Sequence, residues 1–180
     1  MDKNTESHPI GKDEEKKYEL TGENMTLRDG IVLHRIKALR QISLPGGPMV
    51  KKGDLGGWIE SEANLSQDGE AWIGGDALVY GEARVSENAR VCGTAVACER
   101  ARVFGEAEVG GMARVNGEAR VCGEAHIFGT AWVSGEARVC GKARVSGSAE
   151  VDGEARVSGN AEVSGDERIY GWVGVGGDGA

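Results

Sequence analysis

Counted from Gly69, one six-residue pattern runs without insertion for about a hundred positions. Alanine holds all 16 slots of one column, from Ala71 to Ala161. Two residues on, Val or Ile fills the column from Ile73 to Val175, with Ala97 the single exception among 18. Glycine follows two residues later, from Gly69 to Gly177, replaced only at Glu87 and Glu99. The consensus reads G-E-A-R-V-S. So strict a short period predicts a solenoid, in which each repeat buries its apolar face only by stacking on its neighbours.

The composition supports this reading. Glycine, at 30 of 180 residues, is more than twice its usual share, and aromatic residues make up only 5%. Large side chains are too few for a compact core, but a long thin core of Val and Ala can be built. The glycines lack the every-third spacing of collagen. The net charge of −8 argues against general nucleic-acid binding. No apolar run approaches the roughly 20 residues of a membrane span. The opening MDKNTESHPIGKDEEKK has no signal-peptide apolar stretch. A cytoplasmic protein with no membrane association, cofactor or metal is expected.

Cys92, Cys98, Cys122 and Cys140 all occupy the slot after the Val/Ile column, at spacings of 6, 24 and 18. These spacings match no zinc-ligand pattern, and free thiols are expected in a reducing compartment.

Along the chain, residues 1–17 read as a flexible polar tail. The apolar-rich runs around Asp29-Gly30 predict a β-hairpin. Pro45, Gly46, Gly47 and Pro48 mark a loop. Ala63-Asn64-Leu65 already looks like a repeat, but stands two residues out of frame with Ala71. Residues 18–68 are therefore expected to form a small β cap over the first edge of the solenoid, since a bare edge invites aggregation. Residues 69–171 form the repeat proper and 172–180 a Gly-rich tail. At the far end either Tyr170 and Trp172 fold over the last coil, or another subunit covers it.

Alternate residues of a strand face the same way, so Ala and Val both point inward and the residue between them points out. Glycine two residues after Val suits a corner needing positive φ. Each hexad is one short strand and one corner, and three such sides close a triangular coil of 18 residues. This all-β pattern, V-x-x-x-A-x, resembles the left-handed parallel β-helix of hexapeptide-repeat proteins over residues 69 to about 171. Five to six coils are expected, a rod roughly 25–30 Å long at ~4.8 Å per coil. A right-handed β-helix is the alternative.

Residues 18 apart then stack, and the sequence becomes a surface map. One wall carries Arg84, Arg102, Arg120, Arg138 and Arg156, preceded by Glu82, Arg100, Glu118, Glu136 and Glu154. Four rungs pair Glu with Arg. The Arg100/Arg102 rung is under-compensated, so Arg84, Arg100, Arg102 and Arg120 are candidates for holding a phosphate or carboxylate. A second wall gathers Leu78, Val96, Met112 and Trp132 into an exposed apolar patch, the best interaction signal in the chain, unless the cap folds back over it. The third wall, with Trp72, Arg90, Glu108, His126, Arg144 and Glu162, looks like ordinary solvated surface. Cys122 and Cys140 would lie in adjacent coils, close enough for a disulfide.

Many left-handed β-helix proteins are acyltransferases, and that resemblance implies a catalytic histidine in a cleft between subunits of a trimer. This chain departs from it. No loop interrupts the repeat from Gly69 to Gly171, and His126 is the one histidine in the solenoid. As a general base it would need an orienting partner, Glu108 or Glu124, and a pocket that a flat wall does not offer. The order LHRIKALR, GDLGGWIESEANLSQDGEAW and GEARV repeats resembles small hexapeptide-repeat proteins of bacterial genomes and prophages, labelled as transferases without demonstrated activity. That resemblance implies a phage-linked or accessory role but no substrate; for a phage-borne gene, inhibition of a host defence complex is one purpose. The leading expectation is a non-catalytic interaction protein, a homo-oligomer or a binder of a protein partner through Leu78, Val96, Met112 and Trp132. An acyltransferase using His126 at a subunit junction, and a filament-forming structural protein, are the alternatives.

Overall fold

The computed structural model describes residues 16–177. Apart from one 3-10 turn, Glu62–Asn64, its regular structure is all strand. Each hexad supplies a two-residue strand, such as Leu78–Val79, Arg84–Val85 and Arg90–Val91. Successive hexads enter three different parallel sheets, so Leu78 pairs with Val96, Arg84 with Arg102 and Arg90 with Glu108. The chain is thus a three-walled parallel β-solenoid, with the 18-residue coil expected for the left-handed β-helix.

Backbone amides carry the stacking. On the arginine wall, the N–H of Arg102 donates to the carbonyl of Ala119 at 2.9 Å and that of Phe104 to Val121 at 3.0 Å. Glu106 continues the series around the corner to Gly123 at 2.8 Å. Inside, the alanine column and the Val/Ile column are buried from Ala71 to Val163. Each buried valine contributes about 1.5–3 kcal/mol from leaving water. Alanine alternating with valine keeps the cross-section narrow enough for all three walls to share one core.

The corners explain the glycine column. Gly129 sits at φ 72°, and a Cβ there would fall 2.5 Å from the carbonyl oxygen of Gly147 in the next coil. Glu87 and Glu99 hold the same left-handed backbone, both at φ 60°. Each repays that strain with its carboxylate, which accepts from the N–H of Gly105 or Gly117 one coil on, at 2.9 Å.

At the N-terminal end, β1 (Tyr18–Thr26) and β2 (Val32–Ala38) form the antiparallel hairpin expected around Asp29-Gly30. A short hairpin of β3 (Ile42–Ser43) and β4 (Met49–Val50) follows, then β5 (Leu55–Ile59). The joint is β5. It pairs antiparallel with β2 and parallel with Leu78–Val79, so the cap continues the apolar wall's sheet as extra rungs. Parallel stacking therefore begins inside the segment read as cap, ahead of Gly69.

The out-of-frame stretch has a structural use. Leu65 stacks under Val85, twenty positions on, whereas Ile73 stacks under Val91, eighteen on. The two-residue excess falls in the corner between them, and this corner latches the cap. The Gln67 side chain accepts from the N–H of Lys17 at 2.8 Å and donates to the carbonyl of Tyr18 at 3.2 Å. The buried Asn64 amide donates to the carbonyls of Gly81 and Ala83. The Tyr18 hydroxyl donates to the Leu65 carbonyl at 2.7 Å. Lys17, grouped with the tail by its sequence, is buried, and desolvation with nearby Arg40 pushes its pKa down to about 8. Residues 1–15 of that tail lie outside the described residues.

At the other end, Gly174–Gly177 pairs in parallel with Arg156–Gly159, so coiling continues into the Gly-rich segment. Trp172 does not fold over the last coil; it is 82% exposed. Tyr170 turns back instead and donates its hydroxyl to Glu150.

Candidate functional site

The apolar wall stacks Trp58, Leu78, Val96, Arg114, Trp132, Glu150 and Arg168 in register. Leu78 and Val96 are half-buried, while Met112 is 61% and Trp132 45% exposed. The indole N–H of Trp132 donates to the Asn116 side chain, tethering the ring on the wall. Trp58 is a member the periodic count misses, because it lies twenty positions before Leu78. The cap touches this wall at its first rung, where the Arg35 guanidinium lies 5.0 Å from the Trp58 ring centroid and reaches Asp76 at 3.5 Å. Met112 and Trp132 stay uncovered.

The cap folds over the third wall instead. Trp72 is 4% exposed there, packed against Gly56, and Gly47 is pressed onto Arg90, whose Nη1 would lie 1.5 Å from a Cβ at that position. Ser43 N–H donates to Glu70 at 2.9 Å and Arg40 pairs with the same carboxylate at 2.9 Å. What the sequence presents as solvated surface is, at its first two rungs, a packed seam.

Further along this wall, Glu108 is shared. Arg90 Nη2 pairs with its Oε1 at 2.6 Å, and His126 Nδ1 lies 3.5 Å from its Oε2. Arg90 and Glu108 are each 15% exposed, and Arg90 Nη1 is buried without a hydrogen-bond partner among the described residues. The His126 ring stacks on Phe128, centroids 5.9 Å apart. A depression of about 350 Å³ passes Glu108, His126, Phe128, Arg144 and Ser146, and one of about 400 Å³ opens beyond His126 toward Lys142 and Glu162. Of the two orienting carboxylates expected, Glu108 is in place and Glu124 faces Lys142 at 3.7 Å. The wall is grooved on both sides of His126 rather than flat.

On the remaining wall the arginine ladder forms as counted: Arg84, Arg102, Arg120, Arg138 and Arg156 are strand neighbours in unbroken register. The charge balance differs from the expectation. Arg100 is satisfied twice, by Glu118 at 3.0 Å and Glu82 at 3.4 Å in the coils on either side. Both pairs run between coils along the corner column rather than across the strand to Arg84 or Arg120. The five ladder arginines have no carboxylate within 4.0 Å among the described residues. Arg84 and Arg102 line a depression of about 470 Å³ together with Ser66, Ser86, Glu87 and Phe104.

Cys122 and Cys140, adjacent on this wall with Cα atoms 4.6 Å apart, are joined as a disulfide rather than standing as two thiols. Strand stacking alone brings them within bonding reach. Cys92 and Cys98 are free and half-buried; desolvation raises both thiol pKa values, making them poor nucleophiles at neutral pH. Among the described residues no cluster of three or more His, Cys, Asp or Glu is arranged to hold a metal, and no helix is long and apolar enough to cross a membrane.

No protein-family model matches this chain, and no curated protein matches it significantly. The fold is a parallel β-solenoid consistent with a hexapeptide-repeat β-helix. Fold alone confers no activity, so function resides in what the walls carry.

Proposed function

We propose that this protein is a non-catalytic binding scaffold, a rigid rod that presents its apolar wall to another protein, in the first instance a second copy of itself. The supporting observation is the exposed pair Trp132, in the strand column of Leu78 and Val96, and Met112, in the corner column beside it, while the cap covers a different wall. Exposed contiguous apolar surface on a rigid element marks an interface. The rungs on either side of Trp132 carry Arg114 and Glu150. Two rods docked antiparallel with their tryptophans facing bring arginine opposite glutamate at both ends, a self-complementary two-fold contact. Parallel docking sets like charge against like. Trp132→Glu is expected to return the protein to a monomer in analytical ultracentrifugation with its circular dichroism unchanged. Arg114→Glu should weaken association and Arg114→Glu with Glu150→Arg restore it. A species of unchanged mass in Trp132→Glu would overturn the reading.

The Glu108–His126 contact favours a second reading, acyl transfer from a thioester donor with His126 as general base oriented by Glu108. Acyl-CoA binding that disappears in His126→Ala would support it; titration calorimetry showing no acyl-CoA binding to the unmodified protein would remove it.

A further inference from the structure

We infer that the depression at the head of the arginine wall is a binding site for a small organic phosphate carrying a flat ring, of the nucleoside diphosphate type. The inference rests on the arginine wall alone and is independent of association through Trp132.

The chemistry comes from four features. Arg84 and Arg102 are directly paired strand neighbours, and both line the depression. Neither has a carboxylate within 4.0 Å among the described residues, so two planar guanidinium forks, one coil apart, face solvent with their donors free. Stacked like charges repel, and a dianion between them removes that repulsion while accepting paired hydrogen bonds from each fork. Second, two hydroxyls flank the pair. Ser66 already accepts from the N–H of Asp68 at 3.0 Å, which leaves its O–H to donate outward, and Ser86 lines the same depression. Third, the acidic group at the rim is engaged: the Glu87 carboxylate accepts from the N–H of Gly105 at 2.9 Å. Fourth, Phe104 is half-buried beside the arginines and offers a ring face. A base stacks on such a face whatever its sequence identity.

Position within the ladder makes this end special. Arg120, Arg138 and Arg156 continue the charge, but the slot that holds Ser86 and Phe104 beside the first two arginines holds Cys122 and Cys140, joined to each other, beside the next two. The N-terminal turn at Glu62–Asn64, with Ser66 following it, supplies a wall at the upper end alone. A second phosphoryl group would reach toward Arg120, so affinity should rise from phosphate to diphosphate.

The test is titration calorimetry of the full chain with pyrophosphate, adenosine diphosphate and adenosine. Pyrophosphate and the diphosphate should bind and adenosine should not. Arg84→Gln or Arg102→Gln should weaken both phosphate ligands at least tenfold, the scale of losing one charge-assisted contact. Phe104→Ala should weaken the nucleotide but not pyrophosphate. Arg138→Gln with Arg156→Gln, at the far end of the same ladder, should leave both unchanged. Equal losses at the two ends would show diffuse anion attraction along the ladder and overturn the site, as would no measurable binding at millimolar ligand. Circular dichroism of each variant separates a lost site from a lost fold, and surface glutamine is expected to leave the coils intact.

Discussion

The carboxylate of Glu99 accepts a hydrogen bond from the backbone N–H of Gly117, exactly one coil further on, at 2.9 Å. Glu99 occupies a corner at φ 60°, where its neighbours in the column are glycine. A left-handed backbone costs a non-glycine residue about 1 kcal/mol, and a hydrogen bond of this kind returns a similar amount. Glu99→Ala keeps the strain and loses the bond, so thermal melts should show a loss of about 1 kcal/mol. Glu99→Gly loses both and should melt within error of the parent. An Ala variant that melts with the parent would refute the pairing.

Glycine is required to different degrees along the same column. A Cβ at Gly129 meets the Gly147 carbonyl, whereas at Gly171 nothing lies within 4 Å. Gly129→Ala should cost about 3 kcal/mol, strain plus collision. Gly171→Ala should cost about 1 kcal/mol, the backbone part alone. Chemical denaturation of the two variants measures the difference.

Glu108 holds Arg90 beneath the β3–β4 hairpin. Glu108→Gln leaves a largely buried guanidinium without its counter-charge, and a loss of about 3 kcal/mol is expected on the scale of broken buried pairs. Arg100, also paired twice but exposed, is the control. Arg100→Gln should leave the denaturation midpoint unchanged, since exposed pairs are screened.

Stability should rise with pH above neutrality. Lys17 has a folded pKa lowered to about 8 from 10.5, so between those values the unfolded chain binds more protons and deprotonation favours folding. The gain begins as pH passes 8 and is complete near 10.5. Burial raises the pKa of Tyr18, which acts in the opposite direction once pH exceeds the usual phenol value near 10. Cys92 and Cys98, whose thiol pKa values burial raises, also oppose the gain once pH exceeds the ordinary thiol value near 9. Melting temperature should therefore climb from pH 8 to about 9, and Lys17→Met should flatten the climb.

What was legible in the chain was whatever depends on the count of eighteen. The inward columns, the corner at each glycine, the arginine ladder and the line of Leu78, Val96 and Trp132 follow from period and register alone, because each residue's neighbours are set by a constant offset. Once the offset changed, the count lost its hold: two extra residues near Gln67 hid Trp58 from its wall and concealed the latch to Lys17. Contacts made by long side chains were also beyond it. The sequence places free charge at the Arg100/Arg102 rung with Arg84 and Arg120 beside it, yet long glutamates from adjacent coils neutralise Arg100 and leave Arg84 and Arg102 open. Nor could periodicity say which wall the cap would cover, since β3 and β4 lie outside the repeat. Their docking on Trp72 and Arg90 was decided by shape, a glycine-lined gap that accepts an indole and a guanidinium. Repetition encodes the backbone through local, identical contacts; the sites arise where that repetition is broken, and only packing in three dimensions resolves those breaks.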